Sequence, residues 1–170
     1  FGYIHPSQVA MANDLDIVVT VYDFEMAQQL SYAAKDFKKS VKIHLKVDTG
    51  MGRVGMIIGK RDKDLPGKNL PGKLTRKQVL KEIEKIIKLP GIELNGLYTH
   101  FAAADGKDRT YTDLQIDLFT SLLDDLKKEG IQLELCHAAN SAGIIEFPGS
   151  HFNMVRAGIS IYGLYPSCEV

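Results

Sequence analysis

The sequence predicts an α/β fold in which parallel strands alternate with helices. Strand-like and helix-like patterns follow one another along all 170 residues, as expected for parallel β/α architecture. In addition, polar side chains recur at the strand ends, where an ordinary core would hold valine or leucine. We count five βα units, too few to close an eight-stranded barrel, which typically takes about 250 residues.

The five strands are predicted at residues 17–21, 43–48, 94–100, 133–138 and 157–162. The first is an apolar run, and Asp23 after it is a residue type that caps helices. The helix beyond Asp23 carries apolar residues at helical spacing as far as Phe37. The last strand is predicted from a second alternating pattern, in which apolar residues and Arg156 take opposite faces.

Two further helices are predicted from capping boxes. Thr75-x-x-Gln78 precedes one apolar stripe, and Thr112-x-x-Gln115 precedes a run of leucines spaced four apart. Residues 57–74 lie before the first of these helices and are rich in glycine, proline and charge. This composition predicts a solvated loop.

The strand at 43–48 has two unlike faces. Its alternate residues form an apolar face and an ionisable face, made respectively by Ile43, Leu45 and Val47 and by His44, Lys46 and Asp48. Because a strand has a side-chain period of two, the first face can pack under helices while the second points to the other side of the sheet. Ionisable groups are costly to bury unless they are paired, so the second face indicates a functional site.

A glycine-rich turn follows this strand. Gly50-x-Gly52-x-x-Gly55 matches the dinucleotide-binding fingerprint, which requires a helix directly after the glycines and an acidic residue about 20 positions on. Here the predicted loop at 57–74 intervenes and no acidic residue stands in that context. We therefore interpret the glycines as permitting a sharp backbone turn that presents Arg53.

Composition excludes several classes of function. Lys plus Arg and Asp plus Glu both number 21, so we expect no nucleic-acid partner and no attraction to anionic membranes. No apolar run approaches the roughly 20 residues of a membrane span, and no secretory leader is visible. Cys136 and Cys168 are too few for a disulfide framework, and the five histidines lack metal-ligand spacing. We expect no metal and a cytoplasmic location.

Four ordered motifs resemble those of the alanine racemase family, pyridoxal-phosphate enzymes of fold type III. They are HLKVDTGMGR at 44–53, THFA at 99–102, ANSA at 139–142 and VRAGISIYG at 155–163. The resemblance implies a (β/α)8 barrel of TIM type, of which residues 1–170 would be a partial domain holding strands four to eight. It implies that the first barrel strands and the C-terminal β-domain lie outside this sequence.

By this resemblance, a set of residues binds pyridoxal 5'-phosphate in the full-length enzyme, whereas we expect weak or no binding by this chain alone. Arg156 faces the pyridine nitrogen, where its permanently charged guanidinium cannot accept a proton and leaves that nitrogen unprotonated. The phosphate is bound by the hydroxyl of Ser141 and the backbone N–H groups of Gly158 and Ile159, and Asn140 orients its neighbours. A structural ion pair across the barrel is the alternative for Arg156.

The resemblance also implies catalytic roles. Arg53 binds the substrate carboxylate, Lys46 is a site of possible carbamylation that holds Arg53, and His100 supports the catalytic tyrosine. A buried core histidine is the alternative for His100. The Schiff-base lysine of the family stands in a Lys-x-x-x-Tyr-Gly context that this sequence lacks, and the catalytic tyrosine belongs to the C-terminal domain of a partner subunit. We therefore expect the chain alone to be inactive.

The implied activity of the full-length enzyme is interconversion of L- and D-alanine for cell-wall precursors by two-base proton transfer, in a homodimer acting on a small amino acid. Two alternatives remain open. One is another fold-type III enzyme, such as a racemase of broader specificity or a decarboxylase. The other is a non-catalytic pyridoxal-phosphate-binding barrel protein.

Overall fold

The computed structural model describes residues 2–58 and 73–170 as a parallel α/β sheet with its helices, which confirms the predicted fold class. The six strands are β1 (Val19–Val21), β2 (Val41–Asp48), β3 (Met56–Ile58), β4 (Lys73–Leu74), β5 (Ile92–Tyr98) and β6 (Leu135–His137). All pairings between them are parallel. Strand β2 is central, because β1 and β5 flank its first part and β3 pairs with its end.

Residues 2–58 and 73–170 contain five α-helices, which are α1 (Val9–Asp14), α2 (Phe24–Ala34), α3 (Arg76–Ile87), α4 (Thr110–Lys128) and α5 (Ser141–Glu146). The Asp23 side chain accepts a hydrogen bond from the backbone N–H of Met26 at 2.7 Å, as the sequence predicted. The capping box of Thr75 and Gln78 is also present at the start of α3. Three short 3-10 helices, Pro6–Gln8, Pro148–Ser150 and Ile159–Tyr162, complete the fold.

The core lies between the sheet and helices α2, α3 and α4. The apolar face of β2 is fully buried at Ile43, Leu45 and Val47. The helices contribute their apolar stripes, which include Leu30 of α2, Ile83 and Ile86 of α3, and Phe119, Leu122 and Leu126 of α4. The sheet is therefore covered by helices on one side, and its opposite side carries the polar residues of β2.

Three predicted elements need correction. The capping box at Thr112 is wrong, because α4 begins at Thr110 and its N-cap is Arg109, whose side chain makes no capping bond. The strand predicted at 157–162 is also wrong: Met154 makes one isolated parallel bridge to His137, and Ile159–Tyr162 then forms a 3-10 helix.

The third correction concerns the loop predicted at 57–74. Its two ends belong to strands β3 and β4, which pair with each other in parallel. Residues 59–72 lie outside the described part of the chain, so that part of the loop stays a prediction.

Candidate functional site

One cavity of about 590 Å³ opens beyond the C-terminal ends of the parallel strands. All eight residues singled out from the sequence line it: Lys46, Arg53, His100, Asn140, Ser141, Arg156, Gly158 and Ile159. The topology explains this convergence, because the carboxyl ends of parallel strands meet at one edge of the sheet. β2 supplies Lys46 and, through the turn after it, Arg53, while His100 follows β5 and the remaining five follow β6.

The glycine turn that carries Arg53 is organised by Asp48. Its carboxylate accepts the backbone N–H of Gly50 at 2.8 Å and that of Arg53 at 3.0 Å. All three glycines of the turn have positive φ, at 137° for Gly50, 70° for Gly52 and 132° for Gly55, a region open mainly to glycine. Strand β3 follows the turn directly. A dinucleotide site needs a helix there, so the structure agrees with the interpretation of these glycines as a backbone turn.

Arg156 extends its guanidinium across the strand ends. Nη2 donates to the carbonyl oxygens of Thr99 at 2.7 Å and Ala138 at 2.8 Å, and lies 3.3 Å from His100 Nδ1. Nη1 donates to His137 Nδ1. Burial lowers the pKa of Arg156 to about 10, which leaves the group charged at neutral pH. The charge is thus held at a fixed position in the cavity.

The imidazoles beside Arg156 stay neutral at neutral pH. Burial, and then the positive charge of Arg156, lower the pKa of His100 to about 4 and that of His137 to about 3. Each ring can therefore accept a hydrogen bond at one nitrogen and donate at the other. A neutral ring can therefore accept a hydrogen bond from Arg156 and help to orient its guanidinium.

His137 and Tyr98 are functional candidates that the sequence interpretation missed. The two rings stack with centroids 4.7 Å apart at 8°, and the Tyr98 hydroxyl lies 3.1 Å from Thr20 Oγ1. Burial raises the pKa of Tyr98, which keeps the phenol protonated. Both residues end a strand just before a motif, Tyr98 one residue and His137 two residues ahead of it, and that position was the signal available in the sequence.

The segment 156–160 wraps around the hydroxyl of Ser141. Ser141 Oγ accepts the backbone N–H of Gly158 at 2.9 Å and that of Ser160 at 3.2 Å, and Ser160 Oγ donates to it at 3.1 Å. Asn140 is the N-cap of α5, and its side chain accepts from the backbone N–H of Gly143 at 2.9 Å. This cluster gathers polar groups from two segments at one end of the cavity, and Ser160 is a member that the sequence interpretation did not include.

Lys46 is buried on the polar face of β2. Burial lowers its pKa, and the charge of Arg53 lowers it further. Its Nζ lies 5.9 Å from the centre of the Tyr98 ring. A lowered pKa increases the fraction of neutral, nucleophilic amine.

Residues 2–58 and 73–170 contain no group of three or more His, Cys, Asp or Glu side chains placed to bind a metal ion. This part of the chain also has no helix with the length and apolar character that crossing a membrane requires. Cys136 and Cys168 are both free thiols.

Comparison with known proteins identifies alanine racemases as relatives. The family described as the N-terminal domain of alanine racemase matches residues 1–62 and 71–166. The chain is 44% identical over 167 residues to an alanine racemase of Methanococcus maripaludis, a match covering 98% of the chain and 40% of that protein.

Two solved structures resemble the fold. The alanine racemase of Clostridium difficile in complex with cycloserine has a TM-score of 0.84 at 33% identity, covering 100% of this chain and 42% of that one. The alanine racemase of Bacillus anthracis with bound L-Ala-P has a TM-score of 0.79 at 33% identity, covering 99% and 39%. The chain thus spans about two fifths of the length of these relatives.

Proposed function

We propose, from the fact that this chain belongs to the family of alanine racemase N-terminal domains, that it forms the cofactor-binding part of an alanine racemase barrel. In this proposal residues 1–170 correspond to barrel strands four to eight, and the first strands and a C-terminal β-domain complete the enzyme. The full-length protein interconverts L- and D-alanine in the cytoplasm as a homodimer, while the isolated chain does not turn over.

The donor set of the cavity fits pyridoxal 5'-phosphate. The Ser141 hydroxyl and the N–H of Gly158 lie together at one end, and glycine at 158 leaves the backbone open on the side of Ser141 Oγ, where a Cβ would lie 3.6 Å from that oxygen. Ile159 follows in the same backbone segment. When bound, this cofactor acts as an electron sink that acidifies the α-proton of an amino acid. The phosphate would be bound by these groups.

Arg156 would face the ring nitrogen of the cofactor. Its side chain donates hydrogen bonds and accepts none, and it stays charged at neutral pH, because its pKa of about 10 lies well above 7. It therefore has no proton-accepting site and would leave the ring nitrogen unprotonated. The bonds from Nη2 to the Thr99 and Ala138 carbonyls hold the group in place for this role.

Arg53 and Lys46 would serve the substrate side of the cavity. The guanidinium of Arg53 suits a carboxylate, since its planar fork matches carboxylate geometry. Lys46 would carry a carbamate, because its lowered pKa supplies the neutral amine that reacts with carbon dioxide. The negative charge so formed would hold Arg53, and His100 would support the catalytic tyrosine of the partner subunit.

The observation that carries the proposal is the convergence of all eight motif residues on one cavity. The test is a racemisation assay of the full-length protein with pyridoxal phosphate, by circular dichroism of L- and D-alanine, beside the same assay of the 170-residue chain. We expect the full-length protein to convert alanine and the 170-residue chain not to convert it.

The outcomes of this assay separate the alternatives. If the same assay with other amino acids shows conversion equal to that of alanine, a racemase of broader specificity is favoured. Cofactor binding without turnover in the full-length protein would favour a non-catalytic binding protein. Racemisation by the 170-residue chain would refute the proposal that it is inactive alone.

A further inference from the structure

A continuous chain of side chains links Arg156 to the opposite end of the sheet. His137 Nε2 lies 2.9 Å from His44 Nδ1, and His44 Nε2 lies 3.2 Å from Asn95 Oδ1. The amide nitrogen of Asn95 then donates to the carboxylate of Glu134. His137 is fully buried, and His44 and Asn95 are 7% exposed each. Three strands supply this relay, which we define as His137, His44, Asn95 and Glu134.

The two ends of the relay fix the direction of every hydrogen bond in it. A guanidinium only donates, so His137 Nδ1 must accept from Arg156 and its proton must sit on Nε2. His137 Nε2–H therefore donates to His44 Nδ1, and His44 Nε2–H donates to Asn95 Oδ1. An ionised carboxylate only accepts, so the Asn95 amide donates to Glu134. Both ends therefore require the same donor-to-acceptor direction along the relay, which we call its polarity. With this polarity, both rings are neutral Nε2–H tautomers.

The surroundings of His44 also favour this arrangement. A Cβ at Gly96 would lie 2.7 Å from both Cδ2 and Nε2 of the His44 ring, so glycine leaves the ring room at that place. Burial is the main cause of the lowered pKa of both His44 and His137, in agreement with neutral rings. A neutral imidazole has one donor and one acceptor, and the relay uses both in each ring.

We propose that His44 is a positioning residue, which with Asn95 and Glu134 fixes the tautomer of His137 and thereby orients the guanidinium of Arg156. The relay directs the lone pair of His137 Nδ1 toward Arg156 Nη1, while the backbone carbonyls of Thr99 and Ala138 accept from Arg156 Nη2. Its value for the cofactor rests on the proposed function. Its polarity follows from the hydrogen-bond chemistry alone, so its test does not depend on racemase activity.

The polarity is tested by nitrogen-15 NMR of the 170-residue chain labelled at histidine. The long-range couplings from ring carbon-bound protons distinguish the two neutral tautomers. We expect His44 and His137 both as Nε2–H at neutral pH, with a scalar coupling between His137 Nε2 and His44 Nδ1 across their hydrogen bond. An Nδ1–H tautomer or an imidazolium at either position would overturn the proposal.

Two variants of similar size test the effect on Arg156. His44→Gln keeps an acceptor toward His137 and a donor toward Asn95, whereas His44→Leu keeps neither. In His44→Leu we expect the His137 tautomers to mix and the Arg156 Nη1–H signals to shift and broaden. The Nη2–H signals, which the carbonyls hold, should stay in place, and His44→Gln should retain the wild-type pattern.

The outcomes decide between positioning and packing. If His44→Leu folds with unchanged His137 and Nη1–H signals, His44 only fills space and the proposal is wrong. If His44→Gln disturbs Nη1–H as strongly as His44→Leu, the polarity of the relay does not matter and the proposal is again wrong. If His44→Leu does not fold, the tautomers of the wild-type chain and the spectrum of His44→Gln still decide.

Discussion

Arg156 and burial act together on the protonation of the histidines around the guanidinium. Its charge adds to burial in lowering the pKa values of His100, His137 and His44. His100 and His137 both lie within hydrogen-bond distance of the guanidinium, and His44 lies within hydrogen-bond distance of His137. Burial and, after it, the fixed positive charge of Arg156 thus favour the neutral form of all three rings.

These histidines make the stability of the chain depend on pH. The folded pKa is about 4 for His100 and about 3 for His137, below the usual histidine pKa of about 6.5. As pH falls below about 6.5, the unfolded chain therefore binds protons that the folded chain does not bind. We expect the free energy of unfolding to be highest above about pH 7 and to fall as pH drops toward about 5, by up to about 1.4 kcal/mol per pH unit and group.

Urea unfolding measured at several pH values between about 5 and 8 tests this dependence. The matched comparison is His100→Gln, which removes one titrating group from the cavity and should flatten the slope. A free energy of unfolding that does not change over this range would contradict the lowered pKa values.

Ser141 offers a second test at the scale of one residue. Its hydroxyl oxygen accepts hydrogen bonds from Gly158 and from Ser160, and in the proposed function it binds the cofactor phosphate. We expect Ser141→Ala to weaken pyridoxal-phosphate binding by about 1.5–3 kcal/mol, the net value of a hydrogen bond to a charged group. The measurement is a fluorescence titration of the full-length protein with pyridoxal phosphate. Ser167→Ala, outside the cavity lining, is the control and should bind as the wild type does; equal affinity in both variants would contradict the role.

At the scale of elements, the turn from Asp48 to Gly55 leaves different amounts of space for a side chain at two of its glycines. A Cβ at Gly55 would lie 2.9 Å from the Asp48 nitrogen and from the Val47 carbonyl carbon, whereas one at Gly52 would meet no atom within 4 Å. Both residues have positive φ, so alanine is strained at either position. The difference between them is therefore steric.

Gly55→Ala and Gly52→Ala form a matched pair for this element. We expect Gly52→Ala to cost about 1–2 kcal/mol, the usual penalty of a left-handed alanine, and Gly55→Ala to cost clearly more, because Val47 and Asp48 of β2 must also move. Chemical denaturation followed by circular dichroism measures both. Equal losses would show that the contact at Gly55 relaxes freely.

The sequence predicted the elements whose signals are local. The alternation of β2 and the caps at Asp23 and Thr75 were predicted correctly, because period and capping depend on residues close in the chain. The strand at 157–162 was not, since its alternation needs a neighbouring strand, and a single bridge at Met154 is all that the described residues supply.

The candidate site was likewise predicted only in part from the sequence. Its eight residues were found through ordered motifs, whereas the link from His44 to Glu134 was not. Residues 44, 95 and 134 are far apart in sequence, and no local pattern pairs them. Their meeting depends on the register between β2, β5 and β6, which only the folded sheet supplies.

At the scale of the whole molecule, the described part of the sheet has exposed strand edges at β1 and beyond β6. In the described ranges β1 pairs with β2 alone, and β6 is followed by one isolated bridge. Large apolar side chains are exposed near both edges: Leu15, Ile17 and Val18 before β1, and Ile159, Ile161, Tyr162, Leu164 and Tyr165 after β6. Strand edges with unpaired backbone groups recruit other strands, and clustered apolar surface favours association.

We therefore expect the 170-residue chain to self-associate, with its two edges as the contact surfaces. Light scattering over a range of concentrations measures this. The double variant Val18→Lys and Ile161→Lys should shift the chain toward monomer, because charged side chains at an edge oppose pairing. Tyr32→Lys, at a 74% exposed position of α2, is the control and should associate as the wild type does. A wild-type chain that stays monomeric at every concentration, or a double variant that associates as strongly as the control, would show that the edges do not drive association.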